Sequence, residues 1–230
     1  MAKQRDLNEA VVAVVGGTGG LGTPISEELR ARGATVVTAG RSERNDIVLD
    51  LRDCGAGDVL TTHVRDAYGR LDGVVVAAGI VAFGDVLDTD DVTVEELMLT
   101  NTMGPLWLAR RVGDLLADTS GFFVNVSGIV AEAPMPGMAA YSASKSAVHA
   151  ATIALAKEWR RRKVLVVDAR PPHTETGLAT RPLAGTAPQM PTGLDPAAVA
   201  RRIVDAVVSG ERELSGADFG NGDGGADRSA

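Results

Sequence analysis

Apolar runs of strand length recur along the chain: AVVAVVGG (10–17), TVVTAG (35–40), DIVLD (46–50), GVVVAAG (73–79), GFFVNVS (121–127) and VLVVDA (164–169). None of them alternates polar with apolar residues. A strand with one wet face alternates with period two, whereas a strand covered on both faces is apolar throughout, so these runs predict a parallel sheet wrapped by helices. Segments with helical spacing lie between them, at about 20–32, 56–69, 93–117, 138–162 and 195–208. Together they predict an α/β fold, a doubly wound parallel sheet. One connection breaks the pattern. Only Arg41 to Asn45 separate the second run from the third, too few for a crossover helix.

The length, 230 residues with 45% hydrophobic content, suits a single domain over about 1–219. The end, GADFGNGDGGADRSA, has little to bury, and disorder is expected over 220–230. A net charge of -7 with a pI near 5.0 argues against a nucleic-acid partner, because such affinity rests on neutralising phosphates. The RRRK run at 160–163 closes a helical segment, where cations complement the helix dipole. The longest apolar stretch, VVVAAGIVAF (74–83), is short of the roughly 20 residues that span a bilayer, so no membrane partner is expected. The absence of a secretory h-region and the lone Cys54 make the cytoplasm the expected location.

In VVGGTGGLGTPISEELRARG (14–33), Gly16, Gly20 and Gly22 follow the first strand and open an amphipathic helix. Glycines there let the backbone approach a pyrophosphate, and free N–H groups at the helix start stabilise its charge. This Gly-x-x-x-Gly-x-Gly spacing resembles that of the short-chain dehydrogenase/reductases, and the resemblance extends over roughly residues 10 to 214. It implies a Rossmann-type fold and a nicotinamide dinucleotide. Carried over residue by residue, it makes Thr18 and Leu21 of the loop, Asp50 and Leu51 of DLRD, and Ala78 and Gly79 of VAAG cofactor contacts. The family's asparagine pair is missing from VAAG. At the end of the second strand an acidic residue would accept from a ribose hydroxyl. Gly40 stands there, followed by Arg41, which can fork onto a phosphate, and Ser42, which can donate beside it. NADP(H) is therefore the expected cofactor.

Tyr141 and Lys145, in YSASK, are four apart and share one helix face. A free phenol titrates near 10, and a cation about 4 Å away at an effective dielectric of 20 favours the phenolate by about 4 kcal/mol, roughly three pKa units before screening. The pair stands where the family has Tyr-x-x-x-Lys, which implies Tyr141 as acid/base and Lys145 as its partner and a cofactor contact. Asn101 of NTMG matches the family's asparagine that anchors a water leading to the lysine; a helix N-cap is the alternative reading. In RPPHTET, Pro171 and Thr176 match the family's Pro-Gly-x-x-x-Thr turn, with Pro172 replacing the glycine, which implies that Thr174 and Thr176 lie by the cofactor.

The family's catalytic serine is thirteen residues before the tyrosine, and Gly128 stands there. Ser127 is one residue early and is the remaining serine candidate, although neighbouring side chains in an extended segment point to opposite faces. Losing one oxyanion donor costs about 10² to 10³ in rate. A water, the Gly128 N–H, a substrate group or His173 could fill the gap. His149 reads as structural or as a subunit contact and His63 as solvated. No histidine belongs to a metal-ligand pattern, so no metal is expected. From about 172 to 194 the chain has four prolines, three glycines and no regular pattern, as a lid has. There Leu178, Leu183 and Met190, with Phe83, Met135 and Met138, could cover an apolar small-molecule substrate.

Apolar surplus in PLWLARRVGDLLA and SAVHAATIALAKEW points to a homodimer or homotetramer. The resemblance implies NADPH-dependent reduction of a carbonyl, or the reverse alcohol oxidation. The alternative is a relative that binds NADP(H) for regulation or for a non-redox dehydration or cyclisation.

Overall fold

The computed structural model describes residues 4–220. Apart from Gly220, the tail expected to be disordered lies outside the described residues. The strands are β1 (Val11–Val15), β2 (Thr35–Gly40), β3 (Ile47–Val48), β4 (Gly73–Val76), β5 (Phe122–Val126), β6 (Leu165–Ala169) and β7 (Glu213–Leu214). They form one parallel sheet in the order β3-β2-β1-β4-β5-β6-β7. After β3 the chain crosses back to lay β4 against β1, and that reversal opens a crevice at the carboxyl ends of the two strands.

The continuous apolar runs are explained by the two layers. Val11, Ala13 and Val15 of β1 face a core with Leu60, Leu108, Val112 and Leu116, while Val12 and Val14 face another with Ile25, Leu29, Ile203 and Val207. Helices α1 (Gly22–Ala31) and α6 (Pro196–Ser209) cover the second face; α2 (Ala56–Tyr68), α4 (Gly104–Asp118) and α5 (Ala139–Glu158) cover the first. The helix ends follow local chemistry. The Asp195 carboxylate accepts from the N–H groups of Ala197 and Ala198 ahead of Pro196, and α2 stops at Gly69 with φ of 69°.

Three features differ from the sequence pattern or sharpen it. The segment 93–117 is not one helix: α3 (Asp91–Met98) passes through a π-helical turn, Leu99–Met103, into α4. The strand β7 escapes the pattern because it is two residues long and half polar. No helix joins β2 to β3. The Asp46 carboxylate instead accepts from both the N–H and the hydroxyl of Thr38, each at 2.7 Å, and closes the short turn.

The stretch from 172 to 194 has no helix, but its backbone is tied down. Leu183 N–H donates to Val81 O at 2.7 Å, Phe83 N–H donates to Ala184 O at 2.9 Å, and Thr174 bridges Leu194. Among the described residues no helix is long and apolar enough to cross a membrane.

Candidate active site

A cavity of about 610 Å³ opens at the carboxyl ends of β1, β4 and β5. All the residues expected in the site line it except Gly22 and Asn101. Gly22 belongs to the scaffold: a Cβ there would come within 2.0 Å of Gly16 O, so the start of α1 packs directly under the loop. At Gly20 a Cβ would lie 2.1 Å from Thr176 O, so the glycine loop and the RPPHTET turn are in backbone contact. Phe83, Met135, Met138, Leu178 and Met190 line the apolar end, together with His173. Leu183 does not; it is 44% exposed.

The other end is built by the short β2–β3 turn. Arg41, Ser42, Arg44 and Asn45 of that turn line the cavity. Asn45 Nδ2 donates to Ser42 O at 2.8 Å and to Thr18 Oγ1 at 3.3 Å, while its Oδ1 is buried without a partner. A buried acceptor left unpaired is costly, and a ligand hydroxyl or amine would satisfy it. Sequence reasoning missed Asn45 and Arg44; the missing crossover helix was the signal that pointed to them. Asp50 also lines the cavity, but Arg52 hydrogen-bonds its carboxylate and holds it below the usual range. The glycine cradle, the cationic rim and the orphan acceptor suit a dinucleotide.

Tyr141 and Lys145 sit in the cavity wall on the first two turns of α5, which is anchored in an unusual way. Its buried face is largely polar: Tyr141, Ser142, Ser144, Lys145, Val148 and Thr152. Directional bonds replace part of the usual apolar seam. Thr152 Oγ1 accepts from Asn125 Nδ2 at 2.8 Å, Thr102 Oγ1 donates to Ser144 O at 2.8 Å, and Lys145 Nζ donates to Val126 O at 2.9 Å.

Asn101 lies in the π turn and is not a cap. Its Oδ1 accepts from Ile80 N–H at 3.0 Å, and its Nδ2 donates to Ile80 O at 2.9 Å and to Ser144 Oγ at 3.0 Å. It thus clamps the segment after β4 to α5. Gly79 leaves room for that meeting, since a Cβ there would lie 3.3 Å from both Asn101 Oδ1 and Lys145 Nζ.

Burial acts on both members of the pair. It pushes the Tyr141 phenol up to about 12 and the Lys145 ammonium down to about 8, with the Asp168 carboxylate opposing the latter. The expected lowering of the phenol by its neighbour is not what this geometry gives, because the ammonium is directed at Val126 O.

Ser127 is a correction. It borders the cavity but has no exposed surface, and its hydroxyl donates to Asp168 Oδ1 at 2.7 Å, so that hydroxyl is committed away from a substrate. Gly128 N–H is equally committed, to Ala169 O at 3.2 Å, and does not fill the place of a missing donor. Gly128 has φ 85° and ψ 161°, and a Cβ there would meet nothing within 4 Å. Of the other histidines, His149 is structural, with Nδ1 2.7 Å from Asp168 Oδ2, and His63 is exposed. Among the described residues no group of three or more His, Cys, Asp or Glu is placed to hold a metal.

A family profile described as short chain dehydrogenase matches residues 10–184. Galactitol 2-dehydrogenase (L-tagatose-forming) of Cereibacter sphaeroides is 31% identical over 193 residues, covering 76% of this chain and 75% of that protein. A short-chain dehydrogenase from Streptomyces avermitilis superimposes with a TM-score of 0.81 at 26% identity, covering 92% of this chain and 90% of the other. Another from Burkholderia cenocepacia, solved in complex with NADP, gives 0.77 at 24% identity over 92% and 89% of the two chains.

Proposed function

Because the chain belongs to the short-chain dehydrogenase family, we propose that it is an oxidoreductase that uses NADP(H) to reduce the carbonyl of a small to medium, partly apolar substrate, or to run the reverse alcohol oxidation. The observation that carries this reading is the placement of Tyr141 and Lys145. They are both buried, one helical turn apart, in the wall of the cavity whose far rim holds Arg41, Ser42 and Asn45. Burying an ammonium costs free energy, and a protein that only binds a nucleotide has no need of one beside a phenol.

In this reading Gly16, Thr18, Gly20 and Leu21 hold the pyrophosphate, and Arg41 with Ser42 holds a 2′-phosphate. Asp50, Leu51, Ala78, Gly79, Pro171, Thr174 and Thr176 line the remaining length. When bound, the nicotinamide gives or takes a hydride at the substrate carbon. Tyr141, protonated at neutral pH, donates its O–H proton to the substrate oxygen as the alkoxide charge develops. Lys145, one helical turn away, keeps a positive charge in the same cavity wall for the phenolate that remains, and it holds the nicotinamide ribose. Asn101 keeps the Gly79–Ile80 segment and α5 in register. Phe83, Met135, Met138 and Leu178 exclude water from the reacting carbon.

One observation favours the alternative of NADP(H) binding for regulation or a non-redox reaction: the Ser127 hydroxyl is committed to Asp168, and Gly128 carries no side chain. The test follows NADPH absorbance with a panel of ketones, aldehydes and quinones. Tyr141→Phe is expected to lower turnover by about 10² to 10⁴ with NADPH affinity unchanged. If the parent turns over none of these substrates while binding NADPH, the alternative takes its place.

A further inference from the structure

Beneath the reacting pair lies a charged cluster that the proposed chemistry does not use. Asp168 is 1% exposed, on the α5 face of β6, where Val164 and Val166 set an apolar ladder. Its Oδ1 accepts from Ser127 Oγ at 2.7 Å, and its Oδ2 faces His149 Nδ1 at 2.7 Å and Arg170 Nη1. Arg170, 5% exposed, also hydrogen-bonds Glu132 and lies 3.5 Å from Glu213 Oε2. His149 is one turn after Lys145 on α5.

Stability does not account for such a cluster. Removing charges from water costs several kcal/mol each, and apolar residues of similar volume commonly do as well or better. Two of its contacts instead converge on the site. Ser127 immediately precedes Gly128, and His149 fixes α5 against β6. Lys145 Nζ donates to the carbonyl oxygen of Val126, the residue beside Ser127, which places the buried cation over the same strand end that Asp168 holds, and the Asp168 charge favours its ammonium.

We propose that Asp168 is a positioning residue, a buried counter-charge that ties the end of β5 to α5 and serves Lys145 across the helix–sheet seam. The groups that face this seam are Tyr141, Lys145 and His149 from α5, Asp168 and Arg170 from β6 and its end, Glu132 from the turn after β5, and Glu213 from β7. Lys145 and Arg170 balance Asp168 and Glu132, with Glu213 more than half exposed at the edge. His149 Nδ1 lies 2.7 Å from the carboxylate and joins α5 to β6. The link to turnover rests on the proposed role of Tyr141 and Lys145, but the counter-charge itself can be read without turnover.

The chain has four lysines, Lys3, Lys145, Lys157 and Lys163, so a protein labelled with ¹⁵N at the lysine ζ position gives a short spectrum. Lys145→Met identifies the Lys145 signal by its loss. Asp168→Asn keeps the shape and removes the charge, and it is expected to lower the pH midpoint of Lys145 by about one unit. Arg170→Gln removes the competing cation and is expected to raise it. His149→Gln, which keeps a donor for Asp168, is expected to leave it unmoved.

A merely structural role would change melting temperatures without shifts of opposite sign. If neither Asp168→Asn nor Arg170→Gln moves the midpoint, the proposal is overturned. Should Asp168→Asn fail to fold, the Arg170→Gln shift decides alone, and its absence overturns the proposal. Shifted midpoints in a protein with no carbonyl turnover would support the counter-charge and remove the proposed reaction.

Discussion

The ammonium of Lys145 donates to the carbonyl oxygen of Val126, 2.9 Å away at the end of β5. That bond binds α5 to the sheet at the point where the chemistry is proposed, and it orients a charge that burial opposes. Burial leaves Lys145 titrating at about 8 and Tyr141 at about 12. The lysine is cationic below its midpoint and neutral above it. Carbonyl reduction is therefore expected to be level below about pH 7 and to fall as pH rises through 8, when the support for the nascent phenolate is lost. A pH–rate profile under saturating NADPH checks this; a level profile to pH 10 would refute it.

The same lysine has a stability consequence. Its folded value of about 8 lies below the ordinary 10.5, so between those pH values the unfolded chain holds a proton that the folded chain does not. Stability from this group thus rises with pH in that window, and below it the full penalty is present, about 3 kcal/mol for some 2.5 units. Lys145→Met removes the penalty but leaves Val126 O unpaired, which costs about 1 kcal/mol. The variant is expected to lose turnover and melt several degrees higher at pH 7, with the difference shrinking above pH 8. An unchanged or lower melting temperature counts against this.

How much of this was legible in the sequence depends on the length of the signal. Strands such as Val11–Val15 are buried on both faces and carry their class in five consecutive residues, whereas β7 is two residues paired only at its edge. The glycine loop and the Tyr141–Lys145 spacing are local patterns, so they could be read directly. The role of Asn101 in the π turn could not, because its side-chain partners Ile80 and Ser144 lie 21 and 43 positions away. Asp168 was equally silent. A lone aspartate in an apolar run shows its role only when Ser127, His149 and Arg170, up to 41 positions away, converge on it.

Gly128 has space for a side chain but not the backbone for one. Its φ of 85° with ψ of 161° belongs to a region that is nearly restricted to glycine, and other residues are strained there by about 1–3 kcal/mol. Relaxing that angle would pull on the N–H bonds that Ser127 and Gly128 make to Ala169 O. Gly128→Ser is expected to melt lower by a few degrees and to give no gain in turnover, although it restores the family's residue. Faster reduction of a small ketone by a variant as stable as the parent would show that the loop adapts.

A homo-oligomer, dimer or tetramer, is expected to form through the outer faces of α4 and α5. Leu106, Trp107, Ala147 and Ile153 are only half-buried there, Met103 is 38% exposed, and Ala150 is exposed on a row of small residues that allows close approach. Light scattering at micromolar concentration measures the mass, and Ala150→Arg is expected to shift it toward the monomer. A parent that is monomeric under these conditions refutes the prediction.

Cofactor choice is expected to reside in the five-residue turn after β2. Arg41 and Ser42 line the cavity rim with no carboxylate at Gly40, and a charge-assisted bond to a phosphate contributes about 1.5–3 kcal/mol. Arg41→Ala is thus expected to weaken NADPH binding by about 10- to 100-fold while leaving NADH nearly unchanged. Asn45 acts differently. Its unpaired Oδ1 is expected to accept from a group common to both nucleotides, and its Nδ2 steadies Thr18 and Ser42, so Asn45→Ala is expected to weaken NADPH and NADH alike. Titrating both cofactors against the parent and the two variants separates a phosphate-specific contact from a shared one. Equal affinity of the parent for NADH and NADPH, or equal losses for both in Arg41→Ala, would remove the preference for NADP(H).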